Sequence, residues 1–381
     1  MTRLGDLFLH IRNGANIKQG LDNTGYPITR IETISNRVVN RAKMGYAGIT
    51  DVSKYSDYIL QDGDILMSHI NSEIHLGKTA LYEKADDEII IHGMNLLSLR
   101  PNKELINSKY AFYYLSSQAF LRQIPNITKK SVNQASFTVS ALKELDFPIT
   151  TIEEQTKIVN NLDKICNLIE LRKQQLQKLE ELVKSRFVEM FGNVQSQKKL
   201  VDLCRFIDYR GKTPEKVDSG LPFITAKNIK MHYMSFNTQE FISKETYDKV
   251  MTRGFPKIGD VVFTTEAPLG NVCRIPYIDT EFYIGQRIIT MQTDILEPAY
   301  LEYALASDEF KRKLIEKSSG STVTGIRSKL LEQFTIPVPN RNLQEQFAVF
   351  VEQTDKSKFA VQQSLEKLET LKKSLMQKYF G

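Results

Sequence analysis

The sequence predicts an α+β protein built as one unit written twice, each copy a mixed segment of strands and helices followed by a long helix. Three observations carry this. Two stretches end alike, Lys178–Gly192 (KLEELVKSRFVEMFG) and Lys367–Gly381 (KLETLKKSLMQKYFG), with final glycines 189 residues apart. Both belong to runs free of Gly and Pro, in which apolar residues recur at spacings of four and three, the pattern of a coiled-coil seam. Ahead of each run, residues 1–150 and 193–340 mix short β-like runs with turn signals, as an α+β domain does. The expected layout is a globular segment at 1–150, a long helix at 151–192, a second globular segment at 193–340 and a second long helix at 341–381.

Composition bounds the answer. The chain has 381 residues, 41% of them apolar and 25% charged, which suits real cores in two or more domains. Net charge is +6 and the pI about 8.9, a mild basic bias that permits an acidic partner without proving one. The three cysteines, Cys166, Cys204 and Cys273, are far apart and odd in number, so unpaired thiols in a reducing, cytoplasmic compartment are expected. The first residues, MTRLGDLFLHIRNG, do not read as a signal peptide. No run of about 18 apolar residues exists to span a membrane.

The repeat extends beyond the helices. Glu154-Gln155 is matched with Glu345-Gln346, and Phe147-Pro148-Ile149 with Ile336-Pro337-Val338. In the globular parts, Asp62-Gly63-Asp64-Ile65-Leu66 parallels Ile258-Gly259-Asp260-Val261-Val262, and Gly93 parallels Gly285. Tyr26-Pro27-Ile28-Thr29 parallels Leu221-Pro222-Phe223-Ile224-Thr225. The matches are collinear with drifting offsets, which implies loop insertions. Similarity is strong in the helices and thin in the globular parts, so the two segments should share a fold and differ in surface.

The first long helix is expected to start near Ile152, where Thr151 and Glu154 form a capping-box pattern. In the second copy Asn342 and Glu345 are given the same places. The first seam reads Ile158, Leu162, Ile165, Ile169, Arg172, Leu176, Leu179, Val183, Arg186, Met190. The second reads Phe347, Val351, Thr354, Lys358, Val361, Leu365, Leu368, Lys372, Leu375, Tyr379 and is weaker in its first half. Roughly 38 residues make a rod of about 57 Å, too long to bury its seam on its own small domain. The favoured partner is the other copy within the same chain. Packing on another subunit, or homodimerisation, is the alternative. Two domains related by a pseudo-twofold axis and held apart by such a coil would suit a DNA target with two half-sites.

Strands are expected at Asp64–Met67, Glu88–Ile91 and Asn95–Leu99, and at Asp260–Thr264 and Gln286–Met291. Each set precedes an aromatic-rich helical stretch, Ser108–Ile124 and Pro298–Ile315, whose Tyr and Phe read as core.

No catalytic constellation emerges. Gly211-Lys212-Thr213 resembles the end of a P-loop, but the earlier glycine that such a loop needs would fall on Phe206, so the phosphate cradle is missing. The chain has no Pro-Pro and hence no Asp/Asn-Pro-Pro-aromatic motif of an adenine methyltransferase. His69, His75 and His92 have no counterparts in the second half and no HExxH or CxxC beside them, so no metal is expected. What remains is loops of cations, amides and hydroxyls. Tyr209, Arg210, Lys212 and Thr213 share one turn, and Lys227 and Asn228 another. Ser321, Thr322 and Arg327 lie in Lys317–Arg327, and Lys129, Lys130, Asn133 and Gln134 occupy the matching place in the first segment. Arg37, Arg41 and Lys43 form a further basic loop. Arg and Lys can pair with guanine edges or phosphates, and Asn and Gln with adenine. Any one of these residues could instead be an ordinary solvated side chain; the paired placement in both halves favours a DNA contact.

Taken together, the pattern resembles the specificity subunit of type I restriction–modification systems, over essentially the entire chain. The resemblance rests on two differing segments each followed by a long helix, on Glu153-Glu154-Gln155 and Gln344-Glu345-Gln346, on the LEELVKSRFVEMFG-like helix end, and on YRGKTP, ITAKNI and GDVVFTTEAPLGNV in the second segment. The first segment matches the family's segments less well. The resemblance implies two target recognition domains of similar fold, each reading one half of a bipartite DNA sequence, and an antiparallel coiled coil that sets their spacing. It implies a prokaryotic, catalytically inert subunit with no cofactor of its own. Its partners would be double-stranded DNA, two modification subunits that methylate adenine with S-adenosylmethionine, and two restriction subunits that use ATP and Mg to translocate and cut. A coiled-coil scaffold that binds no DNA, and an enzyme with a cryptic site, are the rival readings.

Overall fold

The computed structural model describes residues 2–18, 24–35, 37–131, 134–211, 214–318 and 325–381. The chain divides into two compact units, Met1–Arg172 with Ser364–Gly381, and Lys173–Gln363. Each unit therefore takes half of each long helix.

In the first unit, six strands form one sheet: β1 (Phe8–Asn13), β2 (Ile34–Ser35), β3 (Val38–Val39), β4 (Ile65–Ser68), β5 (Thr79–Leu81) and β6 (Leu96–Pro101). Their order is β1-β6-β4-β5-β3-β2, antiparallel except between β3 and β5. β4 reads Ile-Leu-Met-Ser, buried throughout, because both faces of the sheet are covered. Ile65 and Met67 enter the core that holds the helices. Leu66, pointing the other way as strand geometry requires, enters a second core with Tyr82, Ile90 and Leu96. The turn before β4 needs Gly63 at φ +88°, and Gly259 repeats it at +89° in the second unit. Glu88–Ile91 is not a strand. Ile91 makes isolated bridges to Ile28 and Ile59, and Glu88 turns outward to bind Arg41. The Ser108–Ile124 stretch is helical as α1 (Ser108–Leu115) and then breaks, because Ser117 caps a new short helix through its hydroxyl.

The second unit repeats four of these strands, β1-β6-β4-β5. β7 (Arg205–Asp208), β8 (Val261–Thr264), β9 (Val272–Arg274) and β10 (Ile288–Gln292) run in the order β7-β10-β8-β9. The two-faced burial is the same: Val261 and Phe263 join the helix-side core and Val262 the opposite one. The Pro298–Ile315 stretch divides into α3 (Pro298–Ala306) and α4 (Asp308–Lys317), again at a serine cap, Ser307. Tyr110, Tyr114 and Phe120 in the first unit, and Tyr300, Tyr303 and Phe310 in the second, are buried core residues.

The long helices are α2 (Ile152–Phe191) and α5 (Arg341–Phe380), the same length and 189 residues apart at both ends. Within the first unit, Ile158, Val159 and Leu162 of α2 share a core with Phe380 of α5, and the Asn161 amide donates to the Tyr379 hydroxyl at 3.2 Å. Within the second, Phe187 of α2 lies 5.5 Å from Phe347 of α5, and Arg186 sits over the Phe350 ring. The start of one helix thus packs on the end of the other, an antiparallel coiled coil inside one chain. Every seam position expected from the heptads is buried or half-buried, including Thr354 and Lys358 in the weaker stretch. The caps correct one expectation. Thr151 Oγ1 accepts the Glu154 N–H at 3.3 Å as expected, but Asn340, not Asn342, caps α5, accepting the Leu343 N–H at 2.9 Å. Asn342 lies inside the first turn. The Glu-Gln match was therefore displaced by two residues, and Gln344 is the true counterpart of Gln155. No helix of the described residues is long and apolar enough to cross a membrane.

Candidate nucleic-acid interface

In each unit the loop leaving the central strand receives a second, polar loop. After β4, the His69 carbonyl accepts the Phe137 N–H at 3.2 Å. Ile70–Asn71 then pairs with Ala135–Ser136, which pairs with Lys129–Lys130. After β8, the Thr265 carbonyl accepts the Ile326 N–H at 3.0 Å, and Glu266 bridges to Gly325. Lys129–Lys130 and Gly325–Ile326 are thus each held beside the end of the central strand of their own unit.

The expected contact residues separate into two kinds. Lys43, Lys129, Gln134, Lys227 and Arg327 are exposed, and among the described residues none of the four cations is ion-paired. Lys130 is also exposed and pairs with Glu73 at 2.9 Å; such a surface pair is weak enough for a phosphate to displace. Arg37 is exposed and holds a left-handed backbone, φ +67°.

Others are committed to the fold. Tyr209 is 1% exposed; its hydroxyl donates to the Gly254 carbonyl at 2.5 Å and its ring packs on Tyr283. Asn228 is 3% exposed, and its amide is saturated. Its Oδ1 accepts from the Thr225 N–H and hydroxyl, and its Nδ2 donates to the Ser235 and Thr238 carbonyls. Neither can reach a base, because burial and complete hydrogen bonding leave no face to offer. Arg41 spends its fork on Glu88 and the Glu83 carbonyl; this pairing and a backbone N–H hold the Glu88 carboxyl down at about 2. Arg210 is gripped by Asp208 at 2.9 and 2.7 Å. Asn133, Lys212, Thr213, Ser321 and Thr322 lie outside the described residues.

Two residues escaped the sequence reading. Arg253 donates to the Asp208 and Arg210 carbonyls at 2.7 and 3.0 Å and so stiffens that turn. Lys78, 2.6 Å from His75 Nδ1, joins Arg37 around a cleft of about 420 Å³. Gly77 before it matches Gly270, and a Cβ on either would press on Ile124 or Leu314, themselves at equal places in the repeat, but the residues that follow, Lys78 and Asn271, differ, so the repeat gave no signal for Lys78. Among the described residues no three His, Cys, Asp or Glu side chains converge as metal ligands.

Comparison with known proteins agrees with this architecture. The family described as the type I restriction modification DNA specificity domain matches twice, at residues 1–181 and 194–372. The chain is 31% identical over 405 residues to a Methanocaldococcus jannaschii protein named as the type I restriction enzyme MjaX specificity subunit, covering 99% of this chain and 91% of that one. The MjaVIII specificity subunit of the same organism is 21% identical over 418 residues, covering 99% and 90%. Among solved structures, the type I restriction–modification S subunit from M. genitalium superposes with a TM-score of 0.58 at 16% identity, covering 100% of this chain and 95% of that one. A chain from a study of type I R-M complex assembly gives 0.57 at 18%, covering 100% and 96%. The chain belongs to the family of type I restriction–modification DNA specificity subunits, with two specificity domains in tandem.

Proposed function

We propose that this chain reads a bipartite DNA sequence, one half through each globular segment, with the paired helices setting the distance between the halves. The observation that carries the reading is the repeated frame. His69–Phe137 and Thr265–Ile326 anchor equivalent loops, yet the side chains displayed differ, Lys129 and Lys130 in one unit and Arg327 in the other. A shared frame with different displayed groups is what two independent readers of DNA need, since contacts to the DNA phosphates position a protein and contacts to base edges specify the sequence. The chain itself binds and does no chemistry. Modification subunits using S-adenosylmethionine, and restriction subunits using ATP and Mg, would supply methylation and cleavage, two of each per complex.

The test is an exchange of residues 193–340 for the matching segment of a relative, with α2 and α5 kept. Methylated-site sequencing should then show one half of the recognised sequence changed and the other retained. Change in both halves would overturn the modular reading. Lengthening both helices by four residues should alter the spacer and leave each half intact.

A further inference from the structure

The frame shared by the two units is longer in one of them. The Gly77 N–H meets the Ser68 carbonyl and the Gly270 N–H the Thr264 carbonyl, each at 2.9 Å, so these positions correspond. So do Leu76 and Leu269, which pack into the cores of their own units. Between the loop anchor, His69 or Thr265, and this leucine the second unit has three residues, 266–268, and the first has six, 70–75. The added residues form a turn that is tightly held. The Asn71 Oδ1 accepts the Ser72 N–H at 2.8 Å, the Ser72 carbonyl accepts the His75 N–H at 2.9 Å, and the Glu73 carbonyl accepts the Leu76 N–H at 3.2 Å.

At the tip of this turn Ile74 is 78% exposed. A lone exposed apolar side chain usually needs no explanation. This one stands on an insertion that the shared frame does without, between two residues that each hold a cation. Glu73 pairs with Lys130 at 2.9 Å, and His75 Nδ1 lies 2.6 Å from Lys78 Nζ. Lys78 and Arg37 line the adjoining cleft, whose described lining carries no Asp or Glu. Glu73 is the only acidic residue in 69–78. The strand before the turn, Ile70–Asn71, is the edge of a three-stranded ribbon with Ala135–Ser136 and Lys129–Lys130. At the usual strand spacing, three strands measure about 10 Å across. That is too broad for the minor groove of B-DNA, about 6 Å wide, and fits the major groove, about 12 Å wide.

We propose that Ile74 packs on the 5-methyl group of a thymine in the major groove, so that the half-site of the first unit requires an A·T pair at one position. In that groove thymine is the base that offers a methyl group to an apolar side chain. The cations around Ile74 meet phosphates and place the turn without reading sequence. A β-branched side chain on a held turn has little freedom to lose on contact. The second unit has no such tip, so the two units differ in the kind of base feature they read as well as in their displayed charges. This inference rests on the DNA reading proposed above and deepens it.

The experiment uses the full chain in complex with its modification subunits. Exchange of residues 193–340 first identifies the retained half-site as the one read by the first unit. Duplexes are then made in which each thymine of that half, on either strand, is replaced in turn by uracil, which lacks only the methyl group, and affinities are measured by anisotropy titration. One replacement should weaken binding about fourfold, the worth of one buried methyl group. The Ile74→Ala complex should bind the thymine duplex as weakly as the parent binds that uracil duplex, make no difference between the two, and melt at the parent's temperature. Equal binding of every uracil duplex by the parent, discrimination kept by Ile74→Ala, or a half-site without an A·T pair would each overturn the proposal. So would weaker binding by Ile74→Ala when the parent treats thymine and uracil alike, which would mark a wedge between base steps instead. If the exchange alters one half only, any of these failures removes Ile74 as a reader and leaves the DNA reading standing. An exchange that alters both halves would remove the modular reading, and this inference with it.

Discussion

Gln155 and Gln344 do the same work in their respective units. Each is buried in the first turn of a long helix. Each accepts the N–H of the residue that caps a core helix, Asn107 at 2.8 Å and Glu297 at 2.9 Å. Each donates to the carbonyl five residues earlier, Thr150 at 2.8 Å and Pro339 at 2.9 Å. One side chain thus ties the entry of the long helix to the start of α1 or α3. Replacing either glutamine by leucine leaves a buried N–H and carbonyl unmet, each costing about 1–3 kcal/mol. Denaturant midpoints should fall for Gln155→Leu and Gln344→Leu alike, and a change within error in both would refute the tie.

Phe380, next to the last residue, closes the first core against Tyr110 at 5.3 Å, as Phe191 closes the second against Tyr300 at 4.8 Å. Phe380→Ala should cost about 3–5 kcal/mol despite its place in the chain, and Phe191→Ala the same. Hydrogen exchange should show protection lost in α1 for the first variant and in α3 for the second.

Acid should weaken the first unit. Burial holds the imidazoles of His69 and His92 neutral, down to about 4 and about 3, against an unfolded value of 6.5. Both lowered values mean that the unfolded chain takes up protons that the folded chain refuses. Stability is therefore full above pH 6.5 and falls as pH drops from there towards 4, by up to about 1.4 kcal/mol per pH unit for each histidine. Thr265 stands where His69 would be, so the second unit lacks that loss. Hydrogen exchange at pH 7.5 and 5.5 should show α1 loosening first; equal behaviour of both pHs would contradict the assignment.

The exposed cations and the buried amide should behave oppositely in DNA binding. Lys129→Ala, Lys227→Ala and Arg327→Ala should each lower affinity. A lost phosphate contact would also flatten the salt dependence by about 0.9 log units per log unit of salt. Asn228→Ala should chiefly lower the melting temperature, because four hydrogen bonds of the turn depend on its side chain. A change in base preference with unaltered stability would restore it as a reader.

Much of this molecule was legible along the chain. The duplication, the seams of α2 and α5, the buried aromatic helices and the turns before β4 and β8 all followed from spacing. Spacing is a local property: a helix face or a strand face is set by residues a few positions apart. The Glu88–Ile91 run misled because an apolar run alone does not say whether a neighbouring strand lies beside it. The Asn342 cap misled because two Asn residues stood close together, and the Asn340 side chain meeting the Leu343 N–H decides between them.

The heptads and the repeat were set by the order of residues alone, because they need no information from distant segments. Tertiary structure decided the rest. Tyr209 and Asn228 became core because Gly254, Ser235 and Thr238 come back to meet them, whereas among the described residues no carboxylate reaches Lys129 or Arg327. Whether a polar or aromatic side chain is spent on the fold or left for a partner depends on which remote atoms reach it, and periodicity carries no record of that.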